Sequence, residues 1–168
     1  VRQFDIDAGI ADLDAAIQVG ESATTPYLFR AIARSRQDDP VSAIADLASF
    51  YENEPSEEET GLADSFTAAI VDASVEECVA GDVEGTLAPV DVATCYQHVL
   101  QVDDTNAAAR VYLGGLLGRG GVTDEALDLL DRGIGDAEET DTTRSAGLVF
   151  RAAVRAHAGD VVGARAAL

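Results

Sequence analysis

Cys95 and His98 stand three residues apart in an apolar-periodic stretch, which puts thiol and imidazole on one face if the stretch is helical. A thiol beside an imidazole is the first half of a nucleophile–base pair. No orienting third group and no oxyanion donor accompanies them, so the pair reads as an ordinary helical neighbourhood and Cys95 as a buried structural cysteine. The remaining cysteine, Cys78, falls on the preceding predicted helix; a Cys78–Cys95 disulfide is the alternative, set by redox compartment. His157 lies on a different helix from His98, and neither histidine has the neighbours a metal needs. Gly114, Gly115, Gly118, Gly120 and Gly121 resemble a glycine-rich loop, but no Lys follows and no strand precedes, so they do not form a phosphate cradle. Asp103-Asp104-Thr105-Asn106 looks like part of a calcium loop without its central Gly and distal Glu, and reads better as a turn with a helix cap. The expectation is therefore no catalytic residue, no metal and no cofactor.

Composition narrows the class of protein. The chain has 168 residues, 47% of them hydrophobic, enough for a real core. Alanine is abundant and aromatics make up only 5%, which suits closely packed helices better than sheets. Acidic residues number 31 against 11 basic ones, for a formal charge of -20, and every basic residue is Arg. Such a surface repels nucleic acid and anionic lipid. Acidity without Lys fits a high-GC genome, a salt-adapted organism, or both. No apolar run approaches the ~20 residues of a membrane span, and no signal peptide is visible. The sequence opens at Val1, has no Met and stops at Leu168 inside a helical pattern, so it reads as a piece of a longer chain. A cytoplasmic setting is favoured, with an upstream leader or membrane anchor left open.

The elements that would position any site repeat along the chain. Phe29-Arg30-Ala31-Ile32-Ala33-Arg34 returns as Phe150-Arg151-Ala152-Ala153-Val154-Arg155, an offset of 121 that continues from Asp39/Asp160 to Leu47/Leu168. Small-then-large pairs recur at Gly9/Leu13, Ala43/Leu47, Val92/Tyr96, Ala126/Leu130 and Ala164/Leu168, in steps of 34, 49, 34 and 38. Apolar residues fall at three- and four-residue spacing, and breaks fall at Asp38-Asp39-Pro40, Asn53 to Ser56, Gly81-Asp82, Pro89, Gly118 to Gly121 and Gly159-Asp160. This predicts about nine helices, at 4–19, 24–37, 41–53, 57–80, 90–102, 106–119, 123–136, 141–158 and 161–168, with a loop over 81–89.

The pattern resembles the tetratricopeptide repeat family. Leu113-Gly114 reproduces the family's Leu-Gly pair, with Leu117 in the usual Tyr place, Gly121 at the turn, and Ala126 and Leu130 on the next helix. Tyr27, Ala31 and Pro55 take the aromatic, small and closing places of an earlier unit. Arg30 and Arg151 depart from the pattern; they and Arg34 and Arg155 are expected to pack their stems and meet acids such as Asp46. The resemblance implies an all-α, right-handed solenoid of antiparallel helical hairpins. It implies one repeat domain over 1–168, divided into a partial unit 1–22, unit 23–56, an irregular long unit 57–106, unit 107–140 and a truncated unit 141–168.

In that family the first helices of the hairpins line a concave face. The resemblance places Leu28, Phe29, Ile32 and Arg36 there, then Val111, Tyr112, Gly115 and Arg119, then Val149, Phe150, Ala153 and His157. Arg36, Arg119 and His157 each close a first helix. A basic group at a helix C-terminus also complements the dipole, which is the plainer account. The Lys and Asn residues with which some members clamp a terminal carboxylate are absent. The implied function is a scaffold that binds a peptide or protein on the concave face, with no nucleic acid, no direct membrane insertion and no catalysis. Two alternatives stand beside it. One is an assembly module that forms homo-oligomers through exposed terminal helices. The other rests on a narrower resemblance, carried by Cys95 to Leu100, the stretch on to Leu130, and Phe150 to Leu168. It is to the soluble repeat region of membrane-anchored accessory proteins for cytochrome c maturation, which hold the unfolded apocytochrome for haem attachment.

Overall fold

A computed structural model describes residues 5–20, 24–138 and 140–166. Leu168 and its repeat pairings lie outside the described residues, as does Phe4, the first residue of the first predicted helix. Among the described residues there are nine helices and no strand: α1 (Ile6–Val19), α2 (Thr24–Ser35), α3 (Pro40–Glu52), α4 (Glu57–Glu84), α5 (Pro89–Val102), α6 (Ala107–Arg119), α7 (Thr123–Asp136), α8 (Thr142–His157) and α9 (Val161–Ala166). The all-helical expectation and the helix count hold. None of these helices is long and apolar enough to cross a membrane.

The turns follow from local chemistry. Three of them repeat one motif. Asp39 N donates to Arg34 O (3.1 Å), Val122 N to Leu117 O (3.0 Å) and Asp160 N to Arg155 O (2.9 Å). In each, the preceding residue is left-handed: Asp38 (φ 56°), Gly121 (φ 85°) and Gly159 (φ 85°). This is the closure in which a left-handed residue satisfies the last helical carbonyls. Caps fix the next helix starts: Asp39 accepts from Ser42 N (3.1 Å), Asn106 from Ala109 N (2.9 Å) and Asp141 from Thr143 N (2.9 Å). The Asp103–Asn106 turn is thus a cap, as expected.

The predicted break at Gly81-Asp82 is displaced. Helix α4 runs through it to Glu84, and the chain turns at Gly85, which is left-handed (φ 69°). Gly81 serves a different purpose: Leu87 folds back over it, and a Cβ there would collide with that side chain. Close approach and termination both select glycine, so the sequence alone does not separate them.

The chain divides within α4 into two compact units, residues 1–78 and 79–168. In the first, α2 packs against α1 and α3. Leu28, Ala31, Ile44, Leu47 and Phe50 form its core, and Asp46 is buried among them. Arg30 meets Asp46 through two hydrogen bonds (Nε 2.9 Å, Nη2 2.5 Å) and reaches Asp14 on α1 (2.6 Å). Arg34 adds a third bond to Asp46 (2.8 Å). A buried carboxylate needs such partners, since losing one leaves an uncompensated charge. Helix α4 opens with a capping box. Ser56 N donates to the Glu59 carboxylate (2.9 Å), and Glu59 N donates to Ser56 Oγ (3.3 Å). Thr24 and Thr25 at the start of α2 also donate to Glu59.

In the second unit α6 packs on α5, α7 and α8, and α8 on α7 and α9. Val111, Ala126, Leu130, Ile134 and Val154 form the core. Glycines set the helix separations. A Cβ on Gly114 would sit 2.8 Å from Leu130 Cγ and 3.0 Å from the Ala126 carbonyl. On Gly133 it would meet Val111 at 2.9 Å and the Ala107 carbonyl at 3.0 Å. Cys78 and Cys95 are both buried, and both are disulfide-bonded. Cys95 therefore offers no thiol to His98.

Two predictions follow from this packing. Gly133 and Gly135 both lie on α7, yet a Cβ at Gly135 meets nothing within 4 Å. Gly135→Ala is expected to stabilise by about 0.5–1 kcal/mol through helix propensity. Gly133→Ala is expected to destabilise by about 1–3 kcal/mol through overpacking against backbone. Urea titration of both variants checks this. The second concerns pH. Hydrogen bonds from Thr24, then Thr25 and Ser56, hold the Glu59 carboxyl down at about 2 against an ordinary 4.5. A depressed folded-state pKa contributes stability above the unfolded value and loses it as pH falls through the folded one. Glu59→Gln is therefore expected to be less stable than wild type at neutral pH, the gap closing between about pH 4.5 and 2 in thermal melts.

Candidate functional site

Helix α6 carries Gly115, Gly118 and Arg119 at spacings that share one face, and that face meets α8. Without side chains at Gly115 and Gly118, α8 comes close. A Cβ on Gly115 would lie 2.7 Å from the Phe150 ring, and one on Gly118 would strike Val154. Between the two helices opens a groove of about 320 Å³, lined by Gly115, Gly118, Arg119, Phe150, Ala153, Val154 and His157. The α8 members recur at three- and four-residue intervals, so one helical stripe forms the whole wall.

The floor is apolar and the polar groups gather at one end. His157 is exposed at the last turn of α8, and Arg119 ends α6. Arg119 is not a free cation. Its Nη2 donates to both oxygens of Asp82, at 2.9 and 2.7 Å. Beneath the site runs an aromatic row. Tyr96 stacks on Tyr112 (centroids 6.1 Å, interplanar angle 13°), and Tyr112 meets Phe150 edge-on (6.1 Å, 66°). Tyr96 is buried and its hydroxyl has no hydrogen-bond partner. Burial, then the Asp82 carboxylate, pushes its phenol above the usual range.

The expected binding residues separate into four groups. Gly115, Arg119, Phe150 and His157 come together at the groove, with Ala153 between them. Leu28 (1% exposed) and Val111 (0%) are core residues and offer nothing to a partner. This corrects their placement on a binding face. Each lies one position from an exposed or half-buried neighbour on the same helix, and position within a turn decides which side faces in. Phe29, Ile32 and Arg36 lie on α2 of the first unit, where Phe29 and Arg36 are exposed and Ile32 is half-buried. Tyr112 is half-buried in the aromatic row, and Val149 is exposed beside the groove. Gly118 and Val154 line the groove without having been expected there. Their signal was the three-residue step from Gly115 and the four-residue step from Phe150.

The arginines set apart from the site do structural work. Arg151 donates to Asp131 (2.6 Å), and Arg155 reaches the Gly163 carbonyl at 3.5 Å. Arg110 is buried and donates to Asp136 and to the Asp104 carbonyl. His98 is half-buried, and burial lowers its pKa. Among the described residues no three His, Cys, Asp or Glu side chains converge as a metal would require.

An unpaired buried hydroxyl costs stability that a phenyl ring does not. Tyr96→Phe is therefore expected to raise unfolding stability by about 1 kcal/mol. A loss of stability in chemical denaturation would show that the hydroxyl has a partner after all.

No family model matches the chain, and no curated protein matches it. Among solved structures, the crystal structure of MamA is similar over 97% of this chain and 84% of that chain, with 14% sequence identity and a TM-score of 0.48.

Proposed function

We propose that this chain is a protein-interaction scaffold without catalytic activity, and that it receives a peptide or protein segment along the α6–α8 groove. The observation that carries this reading is the groove itself. Two glycines leave backbone as its floor, Phe150 and Val154 give it an apolar wall, and Arg119 and His157 stand at one end. Concave apolar lining with a few polar groups is the usual character of a binding site. Val149, 56% exposed on α8, extends the apolar surface beyond the groove. On the first unit, Phe29, Ile32 and Arg36 of α2 are the corresponding stripe and are proposed to contact a partner too. The disulfide-bonded state of both cysteines favours an oxidising compartment for this role over the cytoplasmic setting that composition alone favours.

Ala153 is exposed and lines the groove, so Ala153→Arg fills it without entering the core. In affinity capture from native lysate, wild type is expected to retain a specific partner and Ala153→Arg to lose it. Retention by the variant, with its melting temperature unchanged, would place binding on another face.

A further inference from the structure

A second groove opens on the same unit, between the end of α4, the first turn of α5 and the end of α6. It is larger, about 450 Å³, with Val90, Ala93, Leu116, Leu117 and Val122 as its apolar lining and Asp82 and Arg119 on its wall. Val90 is 68% exposed and Val122 44%. A lone exposed valine needs no explanation, but two on one groove beside two half-buried leucines make a patch.

The charge around this patch has one sign. Asp91 follows Val90 in the first turn of α5, and Asp124 and Glu125 follow Val122 in the first turn of α7; all three are exposed. The helix dipole explains why acids stand at those positions. It does not supply a counter-charge. Arg119 is the one cation among the lining residues, and Asp82 holds it with both oxygens. An apolar floor with an acidic rim complements a row of apolar side chains flanked by Lys or Arg. A second copy of the chain would bring a further -20, and an acidic partner would be repelled in the same way.

We propose that this groove docks a basic amphipathic segment of a partner protein. Its apolar side chains lie against Val90, Leu116, Leu117 and Val122, and its Lys or Arg side chains face Asp91, Asp124 and Glu125. The surface is distinct from the α6–α8 groove, although Arg119 borders both.

The test uses the full chain at physiological ionic strength and a fluorescein-labelled helical peptide of Leu and Lys, about 14 residues long, read by anisotropy. Two companions have the same length: one with every Leu replaced by Ser, one with every Lys replaced by Glu. The Leu–Lys peptide is expected to bind, the Ser–Lys peptide about tenfold more weakly or worse, and the Leu–Glu peptide not at all. Val90→Ser/Val122→Ser, which touches only exposed side chains, is expected to weaken Leu–Lys binding about tenfold. Val19→Ser/Leu62→Ser, on exposed positions of the first unit, should leave it unchanged. The proposal is overturned if the Val90/Val122 variant binds as wild type does, if the Ser–Lys peptide binds equally well, if the Leu–Glu peptide binds better, or if no peptide binds.

Discussion

How closely α6 approaches its neighbours determines the rest of the second unit. Three glycines on one helix divide that task by direction. Gly114 lets α7 in, while Gly115 and Gly118 let α8 in. Glycines on the partners reciprocate, Gly133 toward α6 and Gly147 toward Ile134 and Val111. Each glycine within a helix costs about 0.5–1 kcal/mol relative to alanine. The cost is tolerated because the missing Cβ lets whole side chains such as Phe150, Val154 and Leu130 pack against backbone. The α6–α8 groove is a by-product of the same geometry. Where α6 has no side chains the floor is backbone, so the groove's shape is set by helices rather than by movable rotamers.

The second organising feature is how few cations the chain has and where they go. Arg30 and Arg34 share Asp46, Arg151 takes Asp131, Arg110 takes Asp136, and Arg119 takes Asp82. These arginines hold helices together instead of neutralising the surface. The excess of acids therefore stays in solvent, and the field beyond the protein is negative. Repetition of the scaffold does not repeat its polar network. Asp46 gives Arg30 two bonds, but the residue 121 further on is Ala167, and the buried Nε of the corresponding Arg151 has no partner. An arginine repeated without its acid has to find another, and Asp131 on the preceding helix supplies only part of what Asp46 supplies to Arg30.

Helices were legible in the sequence because their signals are local. Asp39-Pro40, Asn106 and Gly121 act within a few residues of where they stand, and the helices start and stop there. Gly81 shows the limit. It looks like Gly85 in the sequence, but its reason is Leu87 folding back, a contact that no local pattern announces. The groove lies between these cases. Phe150, Ala153 and His157 follow from helical periodicity once α8 is placed, and so does Gly115 on α6. Leu28 and Val111 failed because periodicity gives the phase of a stripe only to within about one residue in the turn, whereas burial depends on which neighbour arrives. The Arg119–Asp82 pair was beyond reach for the same reason. Thirty-seven positions separate the two residues, and only the packed helices bring them together. That pair changes what the site can do. A cation already held at both oxygens of a carboxylate sets the orientation of a ligand more than its affinity, since any anion must compete with Asp82 for it. On the proposed scaffold reading, binding strength in the α6–α8 groove would come mainly from its apolar wall, where Phe150 and Val154 meet the bare backbone of α6.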